Sequence, residues 1–385
     1  MSSSVPAGWE QRPMGELVTL QYGKSPKDVI DDDGDYPIIG TGGITGYSKS
    51  YIHEGGTTVV GRKGTINRPS FVDERFWAID TTYYADEYRG AEPRWYFYNL
   101  QNTDLAKYNE ASGVPSLNRD TLYSVSLMVP PLPEQKKIAS ILTSVDEVIG
   151  KTESQIAKLQ DLKTGMMQEL LTKGIGPDGG PHTEFKDSPI GRIPVVWDVM
   201  TLGELAVFNS GYAFKSAELS EAGYKVVRIS NLHKPSFTYW RYNGPIKATW
   251  IVEKGDILFS WAGVANSINV HSYQGEKALL NQHIYNFKFE NDETKTWTYQ
   301  ILKSLLPALK LSIEGGAGQL HLTKKFIQDI SIPFPPSQER QTIGNVFIAL
   351  DQRMSRTLEK REHYKRVKKA LMQDLLTGKV RVKTD

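Results

Sequence analysis

"PPLPEQKKIASILTSVDEVI" (130–149) and "FPPSQERQTIGNVFIALDQR" (334–353) are the same passage written twice, matching in a register of 205 positions. The shared register maps Pro130 and Pro131 onto Pro335 and Pro336, Glu134 onto Glu339, Ile138 onto Ile343 and Asp146 onto Asp351. Upstream it reaches Gly113 and Gly318. Downstream it runs through Thr152/Thr357, Lys163/Lys368 and Met167/Met372 to Leu170, Leu171 and Thr172 against Leu375, Leu376 and Thr377. A match this long without a gap means that whatever element follows the prolines has one length in both copies.

A second pairing, at an offset of 188, opens each half: Trp9, Gly15, Glu16 and Leu17 answer Trp197, Gly203, Glu204 and Leu205. The offset grows by 17 between the ends of each half, so the second copy carries that much extra sequence in its interior. The interiors are short β-branched and aromatic runs cut by glycines, such as "YPIIGTGG", "TTVVGRKG", "GDILFSWAG" and "QHIYNFKF", which read as strands and loops. Helices are expected near Arg94 and Thr296. The stretch between the halves, 174–192, is rich in Gly, Pro and Asp, which disfavours helix and strand alike, and reads as a linker. The expected order is a first body (1–132), a helix (133–173), the linker, a second body (193–336), and a second helix with its tail (337–385).

Each repeated segment reads as a helix. Glu134 suits the positive end of its dipole, and Gly174 stands just past its end. Val145, Ile149, Thr152, Ile156, Leu159, Lys163, Met166 and Leu170 recur at alternating steps of four and three, the seam of a coiled coil with polar interruptions. The second copy supplies Leu350, Met354, Thr357, Arg361, Tyr364, Lys368, Leu371 and Leu375. A helix of about 38 residues reaches roughly 57 Å, longer than one body of this size is wide, so the two seams are expected to pair with each other. Equivalent halves then imply a pseudo-twofold with antiparallel helices. The fold class is α+β: two pseudo-symmetric recognition domains of mixed α/β, strand-and-loop character, joined by two long antiparallel helices in a coiled coil. Two related readers held apart suit duplex DNA, whose face repeats about every 34 to 36 Å.

Composition narrows the chemistry. The 385 residues suffice for two cores, and 39% hydrophobic with 23% charged residues is a folded composition. Zero cysteines exclude disulfides, thiolate zinc sites and cysteine nucleophiles, and fit a reducing compartment. "MSSSVPAGWE" lacks a signal pattern and no apolar run approaches a membrane span, so a cytoplasmic protein without membrane contact is expected. With a net charge of +2, any basic surface must be local.

The chain resembles the specificity (S, or HsdS) subunit of type I restriction-modification systems. The likeness is carried by "GVPSLNRDTLYSVSLMVPPLPEQKKIASILTSVDEVI", "QELLTKGI", "IGRIPVVWDVMTLGEL", "GGAGQLHLTKKFIQDISIPFPPSQERQTI" and "LMQDLLTGKV". These segments frame the chain in the family's order, and the body interiors lie outside the likeness. One departure is that "NRDTLYSV" in the first copy is less basic than "TKKFIQDI" in the second. The resemblance implies two target recognition domains and no catalysis by this chain. It implies binding to an asymmetric bipartite site in double-stranded DNA, two methyltransferase (M) subunits, and restriction (R) subunits that translocate and cut. S-adenosylmethionine, ATP and Mg are then expected on those partners, and no cofactor on this chain.

Motif inspection agrees on the negative side. There is no "NPPY" or "NPPF"; "GKS" at Gly23 lacks the upstream glycine of a phosphate loop; and "GTGGITG" at Gly40 has Thr45 where a dinucleotide fingerprint needs glycine. "DDDGD" at Asp31 fails as a calcium loop, and the seven histidines show no ligand spacing. DNA-facing candidates are polar loops beside glycines. In the first body these are Lys24, Arg62, Lys63, Asn67 and Arg68, since Arg or Lys pairs with guanine and Asn with adenine. The equivalent loop of the second body, with Gly263 answering Gly64, offers Trp261, Asn266 and Ser267. Ser116, Asn118 and Arg119, with Gln319, His321, Lys324 and Lys325, lie in the repeated frame and suit phosphate contacts, which carry no sequence information. For each, the bland role is a solvated charge or turn former, and for His321 a buried or capping histidine. Two other readings remain: a two-headed scaffold that binds proteins and never touches DNA, and the recognition part of a fused restriction-methylation enzyme.

Overall fold

The computed structural model describes residues 5–263, 267–314 and 320–384. The chain forms two compact units, Met1–Gln155 with Thr357–Asp385, and Ile156–Arg356. The boundary falls inside both long helices, Leu132–Leu170 and Ser337–Leu375, so each helix contributes to both units.

In the first unit a four-stranded sheet has the order Val18–Tyr22, Thr82–Tyr88, Thr57–Gly61, Ser70–Val72. Beside it lies a three-stranded sheet of Gly43–Ser48, Tyr36–Gly40 and Trp77–Ala78. The strands Glu10–Pro13 and Ser126–Val129 close the body as an antiparallel pair. The second unit repeats this plan. Its first sheet runs Ala206–Ser210, Ile284–Phe289, Ile257–Ser260, Asn269–Ser272, and Asp198–Thr201 pairs with Ser331–Phe334. Its second sheet gains Ile251–Val252 as a fourth strand. The sequence interiors diverge while their four-stranded first sheets correspond strand for strand, because backbone pairing accepts any residue that suits a half-buried pleat.

The extra residues of the second half have a place. Tyr36–Gly40 turns directly into Gly43–Ser48, whereas the matching strands Tyr224–Val227 and Trp240–Tyr242 are separated by a long connection that holds the helix Ile229–His233. The helix expected near Arg94 is Pro93–Asn102, and that near Thr296 is Asp292–Glu314.

One expectation is corrected. The composition of 174–192 disfavours strands, yet Phe185–Ser188 pairs with Gly191–Pro194 in a hairpin. Its turn is closed by the Ser188 hydroxyl donating to the Gly191 carbonyl (2.5 Å), with Gly191 at φ +104°, and Ile193 is buried. Gly and Pro here shape a tight turn instead of preventing pairing.

All the seam positions are buried or half-buried: Ile149, Thr152, Ile156, Leu159, Thr357 and Leu375 fully, the others in part. In the first unit Lys368 meets Asp146 (2.7 Å) and Lys365 meets Glu153 (3.0 Å), so one helix ascends as the other descends. In the second unit Lys163 meets Asp351 (2.5 Å), and Met166, Met167 and Leu170 pack with Ile343, Phe347 and Leu350. These two lysine pairs are related by the repeat. The polar interruptions of the seam are therefore antiparallel register marks, since each lysine has its aspartate only in this alignment. Leu159→Asp removes a buried leucine and puts a charge in its place, which should cost at least about 3 kcal/mol. Faster hydrogen exchange in the second unit is expected.

Each body is fastened to the start of a helix by one repeated contact. Trp9 Nε1 donates to Glu134 (3.0 Å), and Trp197 Nε1 donates to Glu339 (3.0 Å). A strand-entry tryptophan thus meets a helix-opening carboxylate in both copies. The third member differs. Arg381 Nε and Nη2 donate to Glu134 (2.7 and 2.8 Å), whereas Glu339 takes the Ile175 amide (2.8 Å) and meets His182 Nε2 (3.1 Å). Burial acts to raise the Glu134 pKa, but Arg381 and Trp9 outweigh it and hold the carboxyl below its ordinary value.

Candidate nucleic-acid interface

In the first body three segments meet at one end of the sheets. Arg62 and Lys63 donate their amides to the Thr81 carbonyl (2.8 and 3.2 Å), and Gly64 donates to the Pro115 carbonyl (2.8 Å). Leu117 in turn donates to the Arg62 carbonyl (2.8 Å), and Lys63 bridges Ser116. Gly64 sits at φ +90°, a conformation that favours glycine and lets this loop turn against the 115–117 segment. Lys24 follows the strand end nearby, its amide donating to Ala78 (2.8 Å) and its carbonyl accepting from Trp77 Nε1 (3.0 Å).

The same junction is built in the second body from different residues. Trp261 donates its amide to the His283 carbonyl (3.2 Å), and Ala262–Gly263 pairs with Leu320–His321, so Ala262 opposes His321 as Lys63 opposes Ser116. Gly263 sits at φ +108°, matching Gly64. The backbone frame is shared, and the side chains it presents are not.

The structure therefore brings together Lys24, Arg62, Lys63, Ser116, Asn118 and Arg119 in one body, and Trp261, Ser267 and the His321 backbone in the other. Asn67 and Arg68 are exposed farther along the Arg62 loop. Asn266 and Gln319 lie outside the described residues, as does the His321 side chain. Three candidates have structural duties. Asn118 caps the helix Arg119–Ser124 by accepting from the Asp120 amide (2.9 Å), and its repeat mate Thr323 caps Lys324–Gln328 from the same position. Lys324 turns inward to the Phe208 carbonyl (3.2 Å), and Lys325 pairs with Asp329 (2.7 Å) one helical turn away. For Asn118 the reason is local: a residue opening a short helix after a strand must satisfy free backbone groups before it can serve a ligand.

Tyr22 was missed in the sequence. Tyr22 is 45% exposed, and its ring lies 5.3 Å from the Arg62 guanidinium and 5.1 Å from that of Arg119. Beneath it, edge-on at 5.0 Å, is the buried Tyr83, whose hydroxyl donates to Leu117 (3.3 Å). Burial, then the Tyr22 hydroxyl, push the Tyr83 phenol up to about 12, so this floor stays uncharged. No sequence signal marked Tyr22, because the repeat places Ser210 at that point of the second body.

Charge pairing separates the loop from the remaining surface. Arg12, Arg75, Arg89 and Arg94 of the first body each meet a carboxylate. Among the described residues, Arg62, Arg68 and Arg119 meet none. Among the described residues also, no group of three His, Asp or Glu is placed to hold a metal ion, and no helix is long and apolar enough to cross a membrane. A cavity of about 600 Å³ in the second unit, lined by Met167, Leu171, Ile193, Trp197, Ile301 and Pro307 among others, is mainly apolar and involves none of the loop candidates.

A repeated α+β body, a repeated long helix and a loop junction in each body define a two-domain protein, and the family comparison says of which kind. The type I restriction modification DNA specificity domain matches residues 6–161 and again 194–366, and the chain belongs to that family as a type I specificity subunit. It is similar to the type I restriction enzyme MjaVIII specificity subunit of Methanocaldococcus jannaschii, 26% identical over 416 aligned positions, covering 98% of this chain and 94% of the relative. Among solved structures, the S subunit of the type I restriction-modification system from M. genitalium shares the fold with a TM-score of 0.70 at 17% identity, each chain covered to 98%. A chain from a structural study of complex assembly and conformational transition in the type I system gives 0.54 at 18% identity, over 98% of this chain and 100% of that one.

Proposed function

We propose that this specificity subunit reads an asymmetric bipartite sequence in duplex DNA, one half-site per body, with the gap set by the two helices. It recruits two methyltransferase subunits and the restriction subunits to that site, and is not itself a catalyst. S-adenosylmethionine, ATP and Mg belong to those partners on this reading. The observation that carries it is the loop junction. One backbone frame, repeated down to the positive-φ glycine, carries Arg62 and Lys63 in one body where Trp261 and the buried Ala262 stand in the other. A common frame with unlike side chains suits two readers of unlike sequences, since phosphate contacts position a protein while base contacts specify.

The test is selection from a random duplex library by the subunit assembled with a methyltransferase partner. Two short sequence blocks at a fixed gap are expected. Retention without sequence preference would sink the reading and favour the protein-binding scaffold. Within the same assay, joint replacement of Arg62 and Lys63 by alanine should relax one block only, by roughly 1–3 kcal/mol per lost base contact. Equal relaxation of both blocks would contradict one half-site per body.

A further inference from the structure

The two junctions share a floor. Tyr22 is the register partner of Tyr83, and Ser210 that of Tyr285. The tyrosine of the longer strand is buried in both bodies. What covers it differs. In the first body the cover is Tyr22, from the neighbouring strand, at 5.0 Å. In the second the strand offers only Ser210, and the loop residue Trp261 stacks on Tyr285 itself, at 5.6 Å and 19° between planes. Because Tyr22 supplies the cover, the loop position occupied by tryptophan in one body is left to Arg62 in the other.

We infer that Tyr22 is a positioning residue that holds the Arg62 guanidinium as a reader of guanine in the first half-site, an inference that rests on the DNA-reading function proposed above. A guanidinium lying against an aromatic ring keeps its plane and presents its N–H groups at the edge, and that fork matches the O6 and N7 acceptors of guanine in the major groove. One donor is already fixed, Arg62 Nη1 to the Asp80 carbonyl at 3.0 Å, which aims the group without neutralising it. Among the described residues no carboxylate competes for it, whereas Arg12, Arg75, Arg89 and Arg94 of the same body are each paired with one. Phosphate is the other acceptor that a guanidinium fork fits. The repeat argues against it for this residue: the backbone offers the same phosphates at both half-sites, so a phosphate contact suits a cation present in both copies. Arg119 has that property in sequence, with Lys324 as its mate, although the Lys324 amine is turned to the Phe208 carbonyl. Arg62 does not, since Trp261 stands in its place.

The experiment is library selection and sequencing with the assembled methyltransferase complex, using Tyr22→Ala, Tyr22→Phe and Arg62→Lys beside the parent. The parent should select a guanine that Tyr22→Ala weakens by roughly tenfold at that position alone. Tyr22→Phe, which keeps the ring, should retain it, and Arg62→Lys, which keeps the charge but loses the fork, should weaken it. Arg62 is at the surface, so its variant reports even if Tyr22→Ala fails to fold. A parent with no sequence preference removes the DNA-reading function itself. A selective parent whose guanine positions are untouched by Arg62→Lys, or whose whole profile falls uniformly with a shallower salt dependence, overturns the guanine assignment. Tyr22→Phe behaving like Tyr22→Ala overturns the role of the ring.

Discussion

A heptad inserted after Thr152 together with a second after Thr357 is expected to widen the gap between the two half-sites proposed above by roughly three base pairs. Seven helical residues add about 10 Å, and a base pair occupies about 3.4 Å. The insertion points matter. Asp146 and Lys368 lie on the first-unit side of both insertions, and Lys163 and Asp351 on the second-unit side, so the paired insertions leave both lysine–aspartate contacts in register. A whole heptad also returns the seam to its own face, so Ile156 and Leu159 remain buried. One insertion alone cannot do this, because the unlengthened helix would hold only one of the two pairs, and failure of assembly is expected. Three base pairs also turn the second half-site by about 100° around the DNA, given 10 to 10.5 pairs per turn, so affinity should fall even as the gap grows. Mapping methylated positions in DNA modified by the lengthened complex decides the matter. An unchanged gap would refute the helices as a ruler.

The frame of this protein was legible because it is repeated and periodic. Steps of four and three expose a seam whatever the sheets do, and a gap-free match fixes helix length without any structural knowledge. Ile149, Ile156 and Leu159 could be placed by spacing alone. The bodies were legible only as strands and loops. Which strands pair depends on contacts such as Leu20 with Ala85 or Leu258 with Asn286, and pleated backbone leaves no side-chain code for its neighbour. The junction was half legible. Glycines pointed to the loops of Arg62 and Trp261, but Tyr22 sits at the end of an ordinary strand and becomes notable only once Arg62 and Arg119 lie against it. Asn118 shows the converse, a loop asparagine whose acceptor is spent on its own helix. The fastening contact was written in plain view and not joined up. Trp9 and Trp197 were matched at one offset, Glu134 and Glu339 at another, and nothing in a linear repeat says that two matched pairs touch.

That fastening should make the first unit sensitive to acid. Glu134 is buried, accepts from Trp9 and Arg381, and is held below the ordinary carboxylate range despite the opposing effect of burial. A carboxyl with a lowered folded-state pKa binds its proton more weakly folded than unfolded. Its stabilisation is therefore complete above the unfolded-chain value, near 4.3, and is lost as pH falls through the lower folded value. Glu134→Gln should destabilise the first unit by about 1.5–3 kcal/mol at neutral pH, because a glutamine amide turns an N–H toward Arg381 where an acceptor is required. The same variant should flatten the loss of stability between roughly pH 5 and 3, since the group that titrates there is gone. Hydrogen exchange of the first-unit sheet, followed against pH in parent and variant, measures both effects. Glu339→Gln supplies the contrast: it puts an N–H group in place of one of the two oxygens that accept from Trp197 and from the Ile175 amide, so its effect should fall on the second unit. If both variants loosened the same unit, or if Glu134→Gln left the acid limb as steep as before, the tryptophan–glutamate contact would not be what fastens each body to its helix.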